Sequence, residues 1–322
     1  MAEVTVVIPN YNGMAYLENC IKSLLAQEFD DYDIIVVDNG SEDGSASLEI
    51  LNHPRIRVVR LSQNFGFSRA ANEGIKASKT PYILLLNNDT EVQGEFVQEM
   101  LRAISQDETI FSAASKMIQL NDRGRLDGAG DLYCALGWGF ARGKGKRVSL
   151  YDKDCEIFSA CAGAAIYRKK ILDEIGYFDE FHFAYLEDLD IGYRAKIMGY
   201  KNVYHKDAVV YHVGSGFSGS RYNEFKIRLS SRNNVYVIYK NMPFLQILLN
   251  LPLLLTGFFI KTVFFTLKGY GRAYLSGIKR GYLLCHEGRR LEYSRSHLKN
   301  YARIQIELWV NTVRRLWDAV ER

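Results

Sequence analysis

The sequence predicts an α/β domain with a mostly parallel sheet flanked by helices, followed by a C-terminal helical region that associates with a membrane. Three observations carry this reading. Short continuous apolar runs alternate with segments of helical period, the pattern of parallel strands buried on both faces. Polar side chains collect where those runs end. Beyond residue 240 an uncharged stretch leads into a basic tail.

The elements follow in order. Val4–Ile8 is a buried strand ended by Pro9-Asn10-Tyr11-Asn12-Gly13. Leu17, Cys20, Ile21, Leu24 and Leu25 give Tyr16–Ala26 a helical period. Asp33–Asp38 is a second strand, followed by a Gly/Ser-rich turn and a helix near Ser45–Leu51. Ile56–Leu61 is a third strand, Ser68–Ser78 a helix and Tyr82–Leu86 a fourth strand. In such sheets ligands sit beyond the carboxyl ends of the strands. Those ends carry Asn10-Tyr11-Asn12, Asp38-Asn39, Gln63-Asn64 and Asn87-Asn88-Asp89, a rim suited to a nucleotide. Neither GxGxxG nor GxxxxGK[ST] occurs, which counts against a dinucleotide dehydrogenase or a P-loop NTPase. Residues 121–156, rich in Gly and charge, read as long loops, and Ser159–Ala165 as a small-residue segment where backbone can approach a ligand.

The net charge of +4 is unevenly spread. Residues 261–322 hold 13 Lys/Arg against 5 Asp/Glu, or +8, leaving −4 for residues 1–260. The basic tail points to an anionic surface, phospholipid before nucleic acid. Twenty residues, Asn241–Ile260, carry no charge, a length that could span a bilayer. Gln246, Asn250 and Pro252 interrupt the run, Pro252 breaks or kinks a helix, and a single span puts the basic tail on the far side from the body. A helix or kinked hairpin lying in the interface is preferred. No signal peptide opens the chain, because the first apolar run is broken at Pro9. Cys20, Cys134, Cys155, Cys161 and Cys285 form no CxxC pair and read as buried free thiols in a reducing compartment.

Tyr185–Arg194 puts three carboxylates, Glu187, Asp188 and Asp190, into four positions beside an aromatic run. Crowded, desolvated acids bind protons more tightly, as a general base requires. The same acids also suit a helix start, with Asp190 pairing to Arg194 at i,i+4.

Six pieces in this order are Val7–Gly13, Val36–Ser45, Asn64–Phe67 with Ala70–Gly74, Leu86–Asp89, Glu187-Asp188 and His212–Ser215. Together they resemble glycosyltransferase family 2, inverting nucleotide-sugar enzymes of the GT-A fold, over residues 3–240. The wording Asn-Phe-Gly-Phe and Leu-Asn-Asn-Asp-Thr is similar to the rhamnosyltransferase-like subgroup of bacterial surface-polysaccharide synthesis. The resemblance implies a nucleotide-sugar-binding half in 1–120, an acceptor-binding, catalytic half in 121–240 and a hydrophobic, basic helical region in 241–322. It places the nucleotide against Pro9, Tyr11, Asp38, Asn64, Arg69 and Asn88, with Arg232 a further diphosphate contact. It makes Asp89 and His212 ligands of a divalent cation, Mn²⁺ or Mg²⁺, although Asn87 replaces the first acid of the family's DxD. It assigns the base to Asp188 and a positioning role to Glu187. The Gln-x-x-Arg-Trp motif of processive synthases is absent. The implied enzyme is an inverting, metal-dependent hexosyltransferase at the cytoplasmic face of the membrane, peripheral or monotopic. Its partners are a dTDP- or UDP-sugar, with dTDP-rhamnose foremost, and a lipid-linked or polysaccharide acceptor; no nucleic acid is expected, and a homo-oligomer is compatible. A UDP-hexose enzyme and an inactive scaffold of the same fold remain open.

Overall fold

The computed structural model describes residues 2–214 and 222–320, so Ser215 of the His-x-Gly-Ser motif lies outside the described residues. The first strands are β1 (Val4–Asn10), β2 (Tyr32–Asp38), β3 (Ile56–Arg60) and β4 (Tyr82–Leu86). They pair in parallel in the order β3-β2-β1-β4. Side chains alternate across the sheet, so each strand feeds two cores. Val6, Ile8, Ile34 and Leu84 pack on one face with α1 (Leu17–Leu25) and α3 (Phe96–Ser105). Val7, Ile35, Val37 and Leu85 pack on the other with α2 (Phe67–Ala77). Burial on both faces explains why these strands read as unbroken apolar runs. The helix expected near Ser45–Leu51 is instead two short 3-10 turns, Ser45–Ser47 and Glu49–Asn52. Ser and Asn bond their own backbone and favour such turns.

The sheet is mixed rather than mostly parallel. It continues through β6 (Ile110–Gln119), β11 (Ala164–Arg168) and β12 (Lys201–His212), with β5 (Thr90–Val92), β7 (Asp122–Gly128) and β10 (Cys155–Ile157) at its margins. β11 is antiparallel to both β4 and β6, whereas β12 is parallel to β6. Ala-rich β11 hid in the sequence because alanine and glycine carry little strand signal. The expected loops of 121–156 likewise hold β7, β10 and a hairpin of β8 (Asp131–Cys134) and β9 (Trp138–Ala141). All five cysteines are free thiols, but only Cys20 and Cys134 are buried.

The remaining helices are α4 (Lys169–Ile175), α5 (Glu187–Met198), α6 (Glu224–Asn241), α7 (Phe244–Leu267), α8 (Gly271–Glu287) and α9 (Leu298–Val320). α6 and α8 cross closely: a Cβ on Gly277 or Gly281 would meet the Arg228 or Arg232 carbonyl at 2.4 or 2.5 Å. α7 runs through Pro252 without the expected break. Its polar residues are not interruptions but anchors. Gln246 accepts from Tyr193 Oη at 2.8 Å, and Asn250 exchanges two 2.8 Å hydrogen bonds with Gln305 of α9. Gln246, Asn250, Leu254 and Gly257 form the inward face, while Phe244, Leu245, Leu248, Leu255 and Phe259 point outward. The inward face of the helix thus mixes polar anchors with apolar packing through Leu254, while its outward face is apolar, unlike a soluble amphipathic helix.

Candidate active site

The carboxyl ends of β1, β2 and β4 are joined by side-chain amides. Asn10 Nδ2 donates to Asp38 Oδ1 (3.2 Å) and Ser45 Oγ (3.0 Å), and Asn10 Oδ1 accepts from Asn88 Nδ2 (2.8 Å). Asn39 Nδ2 donates to Asn64 Oδ1 (3.0 Å), and its Oδ1 accepts from the Phe65 amide (3.0 Å). Asp38 is thereby held buried at the floor, with Pro9, Tyr11, Asn64 and Asn88 partly exposed around it. Asn10 and Asn39, read in the sequence only as part of the rim, are the residues that organise it. Arg69 stands apart. Its guanidinium pairs with Glu73 (3.0 Å) and Glu180 (2.9 Å), bracing α2 against the loop that precedes α5.

Strand register unites the two expected metal ligands. Thr90 of β5 pairs with His212 of β12, and the Val213 amide donates to the Asp89 carbonyl at 3.0 Å. Asp89 Oδ1 then lies 3.2 Å from His212 Nε2, which is buried and makes no hydrogen bond. His212 Nδ1 is bonded to Asp127 Oδ2 at 2.8 Å, and Asp127 Oδ1 to Lys144 Nζ at 2.7 Å. Burial opposes a charge on the ring, but the Asp127 and Asp89 carboxylates outweigh it and push the imidazole up to about 9. A ring nitrogen 3.2 Å from one carboxylate, with a second carboxylate on the far nitrogen, fits a divalent cation and its outer support. Asp127, on β7, was missed because its stretch was read as loop.

The acidic cluster is set by strain. Phe183, Tyr185 and Leu186 all have positive φ (62°, 70° and 67°). At Phe183 the chain makes a γ-turn, closed by the Ala184 amide donating to His182 O at 2.7 Å. Asn233 of α6 clamps it: Nδ2 donates to the His182, Ala184 and Tyr185 carbonyls at 2.9, 2.8 and 2.6 Å. Arg232, expected as a diphosphate contact, spends its Nη2 on the Phe181 and His182 carbonyls and its Nε on Asn233 Oδ1. Asp190 is fully buried and bonded to Arg194, Lys240 and Asn241, so the i,i+4 pair is also present. Lys240 also bonds Asp179, so these acids are spoken for by α6.

Glu187 and Asp188 are left at the first turn of α5. Asp188 is half-buried, its Oδ1 accepting from the Leu189 amide at 2.7 Å; Glu187 is buried, with Oε2 unpartnered. Asp131 of β8 and Cys161 bring their ligating atoms within 4.8 Å of Asp188. Burial, then the charge on Asp188, push Glu187 and Asp131 well above the usual carboxylate range. Burial also raises Asp188, but the helix amides and the Cys161 thiol restrain it. Burial raises all three carboxyls, and Asp188 receives the most hydrogen bonds of the three, which makes it the candidate proton acceptor. Beside this centre opens a cavity of about 1090 Å³, walled by Asp127, Lys144, Tyr185, Leu186, Lys226 and Lys261 among others.

A family model described as glycosyl transferase family 2 matches residues 5–176. Among curated relatives, glycosyltransferase GlyG of Streptococcus pneumoniae is 29% identical over 106 residues, 32% of this chain and 35% of that protein. The teichoic acid poly(glycerol phosphate) polymerase of Staphylococcus epidermidis is 31% identical over 96 residues, 29% of this chain and 13% of that protein. The matches thus span about a third or less of these relatives' length. Among solved structures, S. aureus TarS 1-349 in complex with UDP-GlcNAc gives a TM-score of 0.59 at 19% identity, covering 96% of this chain and 90% of that one. The mannosyltransferase PcManGT from Pyrobaculum calidifontis, with GDP-Man and Mn²⁺, gives 0.55 at 16% identity, covering 98% and 87%. At such identities the likeness shows the fold.

Proposed function

The chain belongs to glycosyl transferase family 2, and we propose that it transfers a sugar from a nucleotide donor to a hydroxyl of a lipid-linked or growing cell-surface glycan, with inversion. One observation carries this reading. The Asp38 amide network, the Asp89–His212 pair and Asp188 lie on neighbouring strand ends and the first turn of α5. In the proposed reaction Pro9 and Tyr11 pack on the base, and Asp38 accepts from its N–H or from ribose. Asp89 and His212 would hold a divalent cation, whose charge offsets that of the departing diphosphate. Asp188 takes the proton of the acceptor hydroxyl as that oxygen bonds the anomeric carbon. The bond from that carbon to the donor phosphate breaks on the opposite face, and Asp188 leaves protonated. A single displacement of this kind inverts the anomeric centre.

The sugar we propose is L-rhamnose from dTDP-rhamnose, on the Asn64–Phe67 and Leu86–Thr90 wording. A UDP-hexose is the second reading, favoured by the likeness to TarS in complex with UDP-GlcNAc. A surface-polymer acceptor is supported by the teichoic acid relative. α7 is long and apolar enough to cross a membrane. We instead place it flat on the cytoplasmic leaflet: its inward face is bonded to the body along its length, and its outward face is apolar. Nucleotide release from dTDP-rhamnose, UDP-glucose, UDP-galactose and UDP-GlcNAc, with Mn²⁺, Mg²⁺ or EDTA and a lipid-linked acceptor, tests the reading. Turnover of one donor supports it; nucleotide binding without turnover of any supports an inactive scaffold.

A further inference from the structure

The inward face of α7 continues past Gly257 to Lys261, four residues on. Lys261 is therefore turned toward the body and into the wall of the cavity beside the reaction centre. Its Nζ lies 5.4 Å from the centroid of the Trp138 ring, and the other groups felt by it are the Cys134 thiol and the Arg315 guanidinium. Among the described residues no carboxylate pairs with it. Burial pulls the ammonium down to about 8, the neighbouring Arg315 charge works in the same direction, and the thiol is itself kept neutral by burial. A desolvated cation beside a second cation is costly unless an anion completes the site.

The cavity gives that anion a position. β9 runs along it from Ala141, paired with Asp131 near Asp188, to Trp138 against Lys261. Three strand residues cover about 10 Å. Beyond Lys261 the wall turns apolar at Phe265 and Tyr274, beside the outward face of α7. In order, the chain presents a base, a polar stretch of about a sugar or two, a half-buried cation and an apolar rim. We propose that Lys261 binds the phosphate or diphosphate of a lipid-linked acceptor, with the hydrocarbon leaving over Phe265 and Tyr274 toward the membrane. The proposal rests on the glycosyltransferase reading for the role of this ligand, but its test does not.

Farnesyl diphosphate, farnesol, inorganic pyrophosphate and phosphatidylglycerol vesicles are titrated into the full chain, its Lys261→Gln variant and, as a control on the exposed end of the helix, Lys268→Gln. The expected result is farnesyl diphosphate affinity at least tenfold weaker in Lys261→Gln, unchanged in Lys268→Gln, and weak farnesol binding throughout. Removing a desolvated charge leaves melting temperature equal or higher, so loss of binding is separable from loss of fold. Equal affinity of Lys261→Gln and wild type for farnesyl diphosphate overturns the proposal. So does a loss confined to the vesicles, which assigns the lysine to headgroups, and so does pyrophosphate binding as tight as farnesyl diphosphate, which removes the lipid. Nucleotide–Mn²⁺ binding is measured in parallel. If no nucleotide binds while farnesyl diphosphate still depends on Lys261, the sugar-transfer reading fails and the subsite stands.

Discussion

Replacing Asn233 with alanine isolates what holds the base in place. The three positive-φ residues before α5 cost about 1–2 kcal/mol each, so the segment stores roughly 3–6 kcal/mol. Asn233 opposes this by sharing the two hydrogens of its Nδ2 among three carbonyls, worth roughly 1–3 kcal/mol in all. The clamp thus offsets part of the strain, and the Arg232 bonds to the Phe181 and His182 carbonyls add to it. Without it, the Ala184 and Tyr185 carbonyls lose this donor, while His182 O keeps Arg232. The segment then relaxes and the first turn of α5 shifts. A displacement of about 1 Å at a reacting group can lower the rate by about 10²-fold. The expected outcome in steady-state kinetics is kcat down at least about 10²-fold, because the base moves while the strand ends do not. Nucleotide affinity by calorimetry stays within about threefold, and urea unfolding shows a loss of no more than about 1–3 kcal/mol, because released strain offsets part of the lost hydrogen bonding. Near-native kcat in Asn233→Ala, or loss of nucleotide binding with kcat intact, would refute the reasoning.

Three further outcomes follow from other contacts. Asp127→Asn removes the charged support of His212 Nδ1 and should weaken Mn²⁺ affinity about 10- to 100-fold, read by metal titration of nucleotide binding. Burial pushes Asp190 up, but Lys240 and Arg194 hold it well below the usual carboxylate range. A depressed folded-state value contributes stability that is complete above the unfolded value of about 3.9 and lost as pH falls below it. Urea midpoints should therefore drop steeply below about pH 4, and Asp190→Asn should be less stable at pH 7 with a shallower acid slope. Leu248→Glu with Leu255→Glu, both on the outward face of α7, should abolish co-sedimentation with phosphatidylglycerol vesicles and leave donor hydrolysis unchanged.

The sequence was most legible where chemistry and periodicity coincide. β1, β2 and β4 are buried on both faces and β3 is a partly exposed edge strand, so their apolar runs and polar ends announced both the sheet and its rim. Asp89, His212 and Asp188 were singled out as candidates by type and order, and pairing of β5 with β12 brings the first two together. What stayed hidden lies on elements with weak local signals. Asp127 and Asp131 sit on β7 and β8, short strands separated by glycine turns and carrying charge, whose formation depends on partners distant in sequence. Gln246 and Asn250 were visible but their sense was inverted, because an apolar run does not reveal which face meets protein. Asn233 left no trace of its role, since a clamp on three carbonyls exists only once α6 has docked.

The most direct test of the account is donor turnover by wild type and Asp188→Asn in the presence of Mn²⁺ and a lipid-linked acceptor. The account expects one nucleotide sugar to be consumed with inversion, a fall in kcat of about 10²- to 10⁴-fold in the variant, and unchanged nucleotide affinity. Full turnover by Asp188→Asn would contradict it.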